Sequence, residues 1–163
     1  MDLLLGTDLV KISRIQGSLE RFGQRFVDRV YTPEEQRDCW RRSPPKNLNP
    51  KHWDPNSIPP EVFRRFAGRW AAKEAIVKAL GTGWTGVGYR EVAVQRLPSG
   101  EPRPVLTGGA LERFTDLDPS GGALWRLSLT HDGDYAMATA IALLLPQQMI
   151  SNVTKKYCQN SKT

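Results

Sequence analysis

The sequence predicts an α+β domain in which an antiparallel sheet packs on one long helix. Two observations carry that reading. Residues 60–81 keep apolar side chains three and four apart, the repeat of a helix, and end in glycine. Residues 135–145 alternate Ala136, Ala138, Ala140 and Ala142 with Tyr135, Met137, Thr139, Ile141 and Leu143, a strand with one face small enough for a helix to come close.

The other elements follow in chain order. Leu3 to Val10 reads as a buried strand interrupted by a single acid, Asp8. Ser13 is placed to cap a helix with Ile15, Leu19, Phe22 and Phe26 on one face and Arg14, Arg21 and Arg25 on others. Thr32-Pro33-Glu34-Glu35 is a capping box with proline at the first helical position, so a helix should run from Pro33 to about Arg42. Residues 43–60 have no apolar period, are rich in proline and asparagine, and read as a long inserted loop. Residues 89–97 alternate as a strand, turn at Pro98-Ser99-Gly100 and return through 103–106. A short helix is expected at 110–117. Residues 124–129 and 135–145 flank Thr130-His131-Asp132-Gly133-Asp134 as an antiparallel pair. The domain should span 1–146 and leave 147–163 as a polar tail.

At 163 residues the chain can bury one core without disulfides or metals to staple it. Its 23 lysines and arginines exceed 17 acids, a formal charge of +6 that favours acidic partners: nucleic acid, a phosphorylated cofactor or an acidic protein. The basic residues cluster at 14–29, 37–42 and 64–78, the pattern of a basic face rather than of a disordered arm. Cys39 and Cys158 suggest neither a disulfide framework nor a zinc site. No basic leader with a cleavage site opens the chain and no run is long enough to span a bilayer, so a soluble intracellular protein with no membrane partner is expected.

Four groups of residues have the chemistry for a site. Glu74 falls near the middle of the helical arc formed by Phe63, Phe66, Ala67, Trp70 and Val77. A buried carboxylate needs a metal ion, a basic partner or a wet cleft. Asp8 and Glu74 could share one Mg²⁺; alternatively each is satisfied separately, Glu74 by Lys78 one turn on. Lys73, Lys78 and Gly81-Thr82-Gly83 form a second group. The glycines follow the helix and so do not form a P-loop, and a phosphate here would need Lys78. The alternative is a glycine cap and a solvated lysine. His131, in the expected turn, is either a phosphate-binding or basic histidine or an idle exposed one. The arginines of the first helix either dock an acidic helix or form an ordinary solvated face.

Three motifs then carry a family resemblance: GTDLVKISRI at 6–15, RFAGRWAAKEAIVKALGTG at 65–83 and SLTHDGDYAMATA at 128–140. Together they resemble the holo-[acyl-carrier-protein] synthase type of 4'-phosphopantetheinyl transferase, and the middle one is highly specific. Gly100-Glu101-Pro102 before Val105-Leu106 adds a weaker likeness. The family moves the 4'-phosphopantetheine arm of coenzyme A to a serine of an acyl carrier protein and releases 3',5'-ADP. The resemblance implies the family's single-domain fold, with Asp8 and Glu74 as Mg²⁺ ligands and Lys78 holding the diphosphate, the three acting in catalysis. It further implies that Arg69 and Lys73 share that pocket, that Gly81, Thr82 and Gly83 line the coenzyme A site, and that His131 lies near the nucleotide phosphates. Arg14 and Arg21 would meet the acidic helix of the carrier protein, in a homotrimer with sites between subunits. The serine proton would go to water at the metal or to a carboxylate such as Glu74. The long 43–60 loop suggests a eukaryotic, fungal version, for which a mitochondrial location is an option. No nucleic acid is expected as a partner on this reading. The rivals are a non-catalytic basic domain binding nucleic acid or an acidic protein, which has no use for acids inside apolar segments, and a Mg²⁺-dependent nucleotide phosphohydrolase.

Overall fold

The computed structural model describes residues 2–41 and 58–146. The expected tail and nearly all of the expected 43–60 loop therefore lie outside the described residues. The chain runs β1 (Asp2–Lys11), α1 (Ile12–Phe22), α2 (Gln24–Val30), α3 (Pro33–Trp40), α4 (Pro60–Ala79), β2 (Val92–Arg96), β3 (Pro102–Leu106), α5 (Gly108–Leu117), β4 (Leu124–Asp132) and β5 (Tyr135–Leu144). Strands β1, β5 and β4 form one antiparallel sheet with β5 in the middle, and β2 and β3 form a separate hairpin. The α+β reading is borne out.

Small residues let α4 lie directly on the sheet. Ala136, Ala138, Ala140 and Ala142 are no more than 1% exposed. Opposite Ala140 in the register stands Gly6. A Cβ at Gly6 would collide with the carbonyl oxygen of Ala75 and come within 2.6 Å of the Ala79 amide nitrogen, both backbone atoms that cannot step aside. Overpacking a core usually costs about 1–3 kcal/mol, and here it would push α4 off β1. Alternation along β1 puts Gly6, Asp8 and Val10 on the side facing α4. The other side of the sheet leaves Leu3, Leu5, Leu9 and Met137 exposed.

The sheet, α1, α3 and β2 all pack on α4, so α4 has no single apolar face. This changes which charge is buried: Lys73 is fully enclosed, whereas Glu74 is only half-buried and Lys78 is exposed. The helical-arc argument assumed one buried stripe, which is the rule for a surface helix and not for a central one.

Two local expectations are also corrected. The first helix starts at Ile12 with Lys11 at its cap position, not at Ser13, because β1 runs on to Lys11 and the Ile12 amide bonds the Asp134 carbonyl at 2.7 Å. It also breaks at Gly23, whose φ of 54° suits glycine, and the break leaves Phe22 exposed. Strand β4 reaches Asp132, so His131 is a strand residue opposite Ala136 rather than a turn residue. The α3 capping box forms as expected: the Glu35 amide donates to Thr32 Oγ1 at 3.3 Å and the Thr32 amide to Glu35 Oε2 at 2.9 Å.

Candidate active site

The seam between β1 and α4 pairs Asp8 with Lys78, and Glu74 stands one helical turn before Lys78 on α4. Lys78 Nζ donates to Asp8 Oδ1 at 2.7 Å and to the Thr7 carbonyl at 3.2 Å. The Lys78 side chain is 50% exposed and that of Asp8 15%. Glu74 lies one helical turn before Lys78, yet its partner is elsewhere: Oε1 accepts from Trp84 Nε1 at 3.0 Å. Lys78 thus pairs with the strand acid and not with the i−4 acid that sequence spacing offered. Among the described residues no three of His, Cys, Asp and Glu converge. Two carboxylates nevertheless suit a hard cation such as Mg²⁺, which keeps water and phosphate as its remaining ligands.

Lys73 does not join this group. Its Nζ is 2.8 Å from Glu35 Oε2 and donates to the Val92 carbonyl at 2.6 Å and the Tyr89 carbonyl at 3.0 Å. All three donors of the ammonium are taken, so none remains for a phosphate. Burial pulls the Lys73 pKa down, and the Glu35 carboxylate opposes that pull. Glu35 in turn accepts from the Thr32 and Val94 amides. The structure places this lysine in the core, an assignment that the motif at 65–83 alone does not reveal.

Arg69 faces a different opening. It bonds Asp38 Oδ2 at 2.7 Å, while its Nε is buried with no partner among the described residues. It lines a cavity of about 420 Å³ with Asp38, Arg41, Arg65, Arg96 and Ser128. Burial and then the neighbouring Arg41 guanidinium pull the Arg65 pKa below the ordinary arginine value. Four arginines around one carboxylate make a site for a polyanion. Of these arginines only Arg69 falls among the residues that the family resemblance implies. Arg41, Arg65 and Arg96 come from three different elements or their ends, and nothing in sequence spacing joins them.

The remaining expected residues take separate places. Gly81 and Gly83 have φ of 74° and 55°, and Thr82 turns between them next to the α4 C-terminus, where Arg113 Nε bonds the Leu80 carbonyl at 3.2 Å. His131 is exposed on β4, two residues beyond Leu129, which lines the arginine cavity. Arg14 and Arg21 are exposed on α1, with Arg21 over the Phe22 ring at 5.1 Å. Beside them Phe22, Phe26, Trp70 and Tyr89 floor a groove of about 420 Å³ rimmed by Arg25 and Arg29.

Comparison with known proteins gives the geometry a context. The model of the 4'-phosphopantetheinyl transferase superfamily matches residues 4–140. Holo-[acyl-carrier-protein] synthase of Gloeobacter violaceus is 50% identical over 138 residues, covering 83% of this chain and 88% of that protein. The enzyme of the same name from Dinoroseobacter shibae is 41% identical over 144 residues, covering 87% and 91%. Among solved structures, the Chronobacterium ammoniagenes ACPS–CoA complex superposes with a TM-score of 0.67 at 27% identity, over 90% of this chain and 100% of that one. Neisseria meningitidis holo-[acyl-carrier-protein] synthase gives 0.59 at 31% identity, over 85% and 96%. These four relatives are bacterial. No helix among the described residues is long and apolar enough to cross a membrane.

Proposed function

Because this chain belongs to the 4'-phosphopantetheinyl transferase superfamily, we propose that it moves the 4'-phosphopantetheine arm of coenzyme A to a serine of apo-acyl carrier protein and releases 3',5'-ADP. The observation that carries the reading is the contact of Lys78 with Asp8 across the β1–α4 seam, one helical turn from Glu74. Asp8 and Glu74 would hold Mg²⁺, whose chemistry here is to neutralise charge on the diphosphate as the phosphoanhydride bond breaks. Lys78 keeps its pairing with Asp8 only while no stronger anion is present. Turning to the diphosphate, it supplies a mobile positive charge where negative charge develops on the leaving nucleotide. Gly81, Thr82 and Gly83 line the approach to Lys78 from the end of α4.

The arginine cavity around Arg69 suits the phosphorylated nucleotide end of coenzyme A, and the unpartnered Arg69 Nε is a donor waiting for an acceptor. His131, near its rim, would add a contact. Lys73 is assigned a structural role instead of a place in this pocket. The Asp8–Glu74 seam and the arginine cavity share no residue, and the sheet exposes Leu3, Leu5, Leu9 and Met137 on one face. Both facts support a homotrimer in which that face is covered and the arginines of one protomer meet the carboxylates of its neighbour. Light scattering should give three chains per particle, and Leu5→Lys should give monomers without transfer. A monomeric, active wild type would refute the assembly.

Arg14 and Arg21 would meet the acidic helix of the carrier protein, with the formal charge of +6 steering the encounter. The decisive experiment is mass spectrometry of apo-acyl carrier protein incubated with the chain, coenzyme A and Mg²⁺. A gain equal to phosphopantetheine, lost with EDTA, is expected; no gain on any of several carrier proteins sinks the proposal. Release of nucleotide without that gain would identify a phosphohydrolase.

A further inference from the structure

The loop after α4 carries a side chain that the proposed reaction has not used. Gly81, Gly83 and Gly86, with φ of 74°, 55° and 73°, take left-handed backbone and fold the chain back beside the helix. The returning segment sets Trp84 against Glu74, where indole Nε1 donates to Oε1 at 3.0 Å. That indole is held on two sides. Its ring stacks on Trp70 with centroids 6.1 Å apart and meets Tyr89 at 4.6 Å, while Trp70 and Tyr89 stand 5.6 Å apart. Tyr89 is itself anchored, its carbonyl by Lys73 and its ring by the Arg29 guanidinium at 5.9 Å.

The consequence concerns the two oxygens of Glu74. An unrestrained carboxylate rotates about its last bond and presents either oxygen. Here Oε1 is taken by a donor whose ring cannot swing away. Oε2 accepts no hydrogen bond from the described residues and is not among the buried atoms lacking a partner. We propose that Trp84 is a positioning residue: its N–H fixes the rotation of Glu74 and reserves Oε2 for the cation. The inference rests on the reading above of Glu74 as a cation ligand. Groups that orient a metal ligand from behind are typically worth about 10–100-fold in metal affinity or activity.

The test uses Trp84→Phe, which keeps an aromatic ring in the stack and removes the N–H together with the pyrrole ring that carries it. Mn²⁺, a paramagnetic stand-in for Mg²⁺, is titrated into the full chain with coenzyme A present, and free Mn²⁺ is counted by electron paramagnetic resonance. W84F should bind Mn²⁺ about 10-fold or more weakly, and kcat should fall at limiting metal while KM for the carrier protein stays unchanged. Weaker Mn²⁺ binding supports the inference even if no carrier protein is ever modified, so this reading and the transfer reading fail separately. Equal Mn²⁺ affinity in both proteins overturns it, with or without transfer. A wild-type measurement covers the case in which W84F folds poorly. The Trp84 indole N–H signal should exchange with solvent far more slowly than a free indole and should shift when Mg²⁺ is added; exchange at the free rate overturns the proposal.

Discussion

Five residues apart on α4, two lysines each reach a carboxylate on another element at nearly the same distance, 2.8 Å for Lys73–Glu35 and 2.7 Å for Lys78–Asp8. Distance is all they share. The first pair is 0% and 1% exposed, and its lysine spends every donor inside the protein. The second is 50% and 15% exposed, and its lysine bonds one carboxylate and one carbonyl. A saturated, desolvated pair locks geometry; an exposed pair with a donor to spare can change partners. The same helix therefore carries a fastener in Lys73 and, on the proposed reaction, a reagent in Lys78.

Breaking the fastener should have the largest effect. Lys73→Met leaves the buried Glu35 carboxyl without its ion-pair partner, which typically costs about 3–5 kcal/mol, and urea unfolding should show that loss. Adding Glu35→Gln to the same chain should recover part of it, because the stranded charge is gone. A single variant of wild-type stability would mean that the pair is not desolvated as the structure has it.

Breaking the reagent should leave the fold and remove the chemistry. Lys78→Ala should lower kcat for carrier-protein modification by about 10²–10³, or roughly 2.7–4 kcal/mol in the barrier, the usual effect of deleting one charge-stabilising donor. Its stability should stay within about 0.5 kcal/mol of wild type, as expected for an exposed side chain. Unchanged kcat would assign Lys78 to the solvated face that its exposure also permits.

These contrasts mark what the sequence could and could not reveal. Strand alternation at 135–145 and the Thr32–Glu35 capping box are local, so they were legible, as was α4 as a single long helix. Asp8 stood out because an acid interrupted an apolar strand, and its meeting with α4 followed once the family motifs were recognised. What was illegible depends on how many elements surround α4. Its arc pointed to Glu74 as the buried charge, whereas packing on several sides buries Lys73, and its Glu35 partner lies 38 positions earlier in the chain. Trp84 gave no signal at all, since only the folded loop places it beside Glu74. The arginine cavity was missed for the same reason.

Alkaline pH sharpens the comparison at an intermediate scale. Burial pushes the Cys39 thiol, beside the Glu35 node, up to about 12 from 9.0, and raises Tyr31 in the same direction. Between those values the unfolded chain has lost the thiol proton and the folded chain keeps it, so the unfolded state binds fewer protons. Stability from this group is complete below about pH 9 and is lost as pH rises through about 12. The lowered Lys73 pKa acts with the opposite sign, so the difference between proteins isolates the thiol. Cys39→Ala should make the alkaline loss of stability shallower by up to about 1.4 kcal/mol per pH unit. Equal slopes would mean that the thiol is not held protonated.

Asp8→Asn should change stability least. It removes the carboxylate from Lys78 and leaves an amide of the same shape. Exposed pairs contribute about 0–1 kcal/mol, and with Lys78 50% exposed the value belongs near the low end. Raising the salt concentration should screen the wild-type pair in the same way, so the small stability gap between D8N and wild type should close in 1 M NaCl. The Lys73→Met gap, arising where solvent ions do not reach, should persist. If the Asp8 gap also survives in high salt, the pair is more enclosed than its exposure indicates, as it would be under a neighbouring protomer. Salt sensitivity of Asp8→Asn, measured with and without the Leu5→Lys change that should break the proposed trimer, would then separate enclosure by this chain from enclosure by a neighbouring protomer.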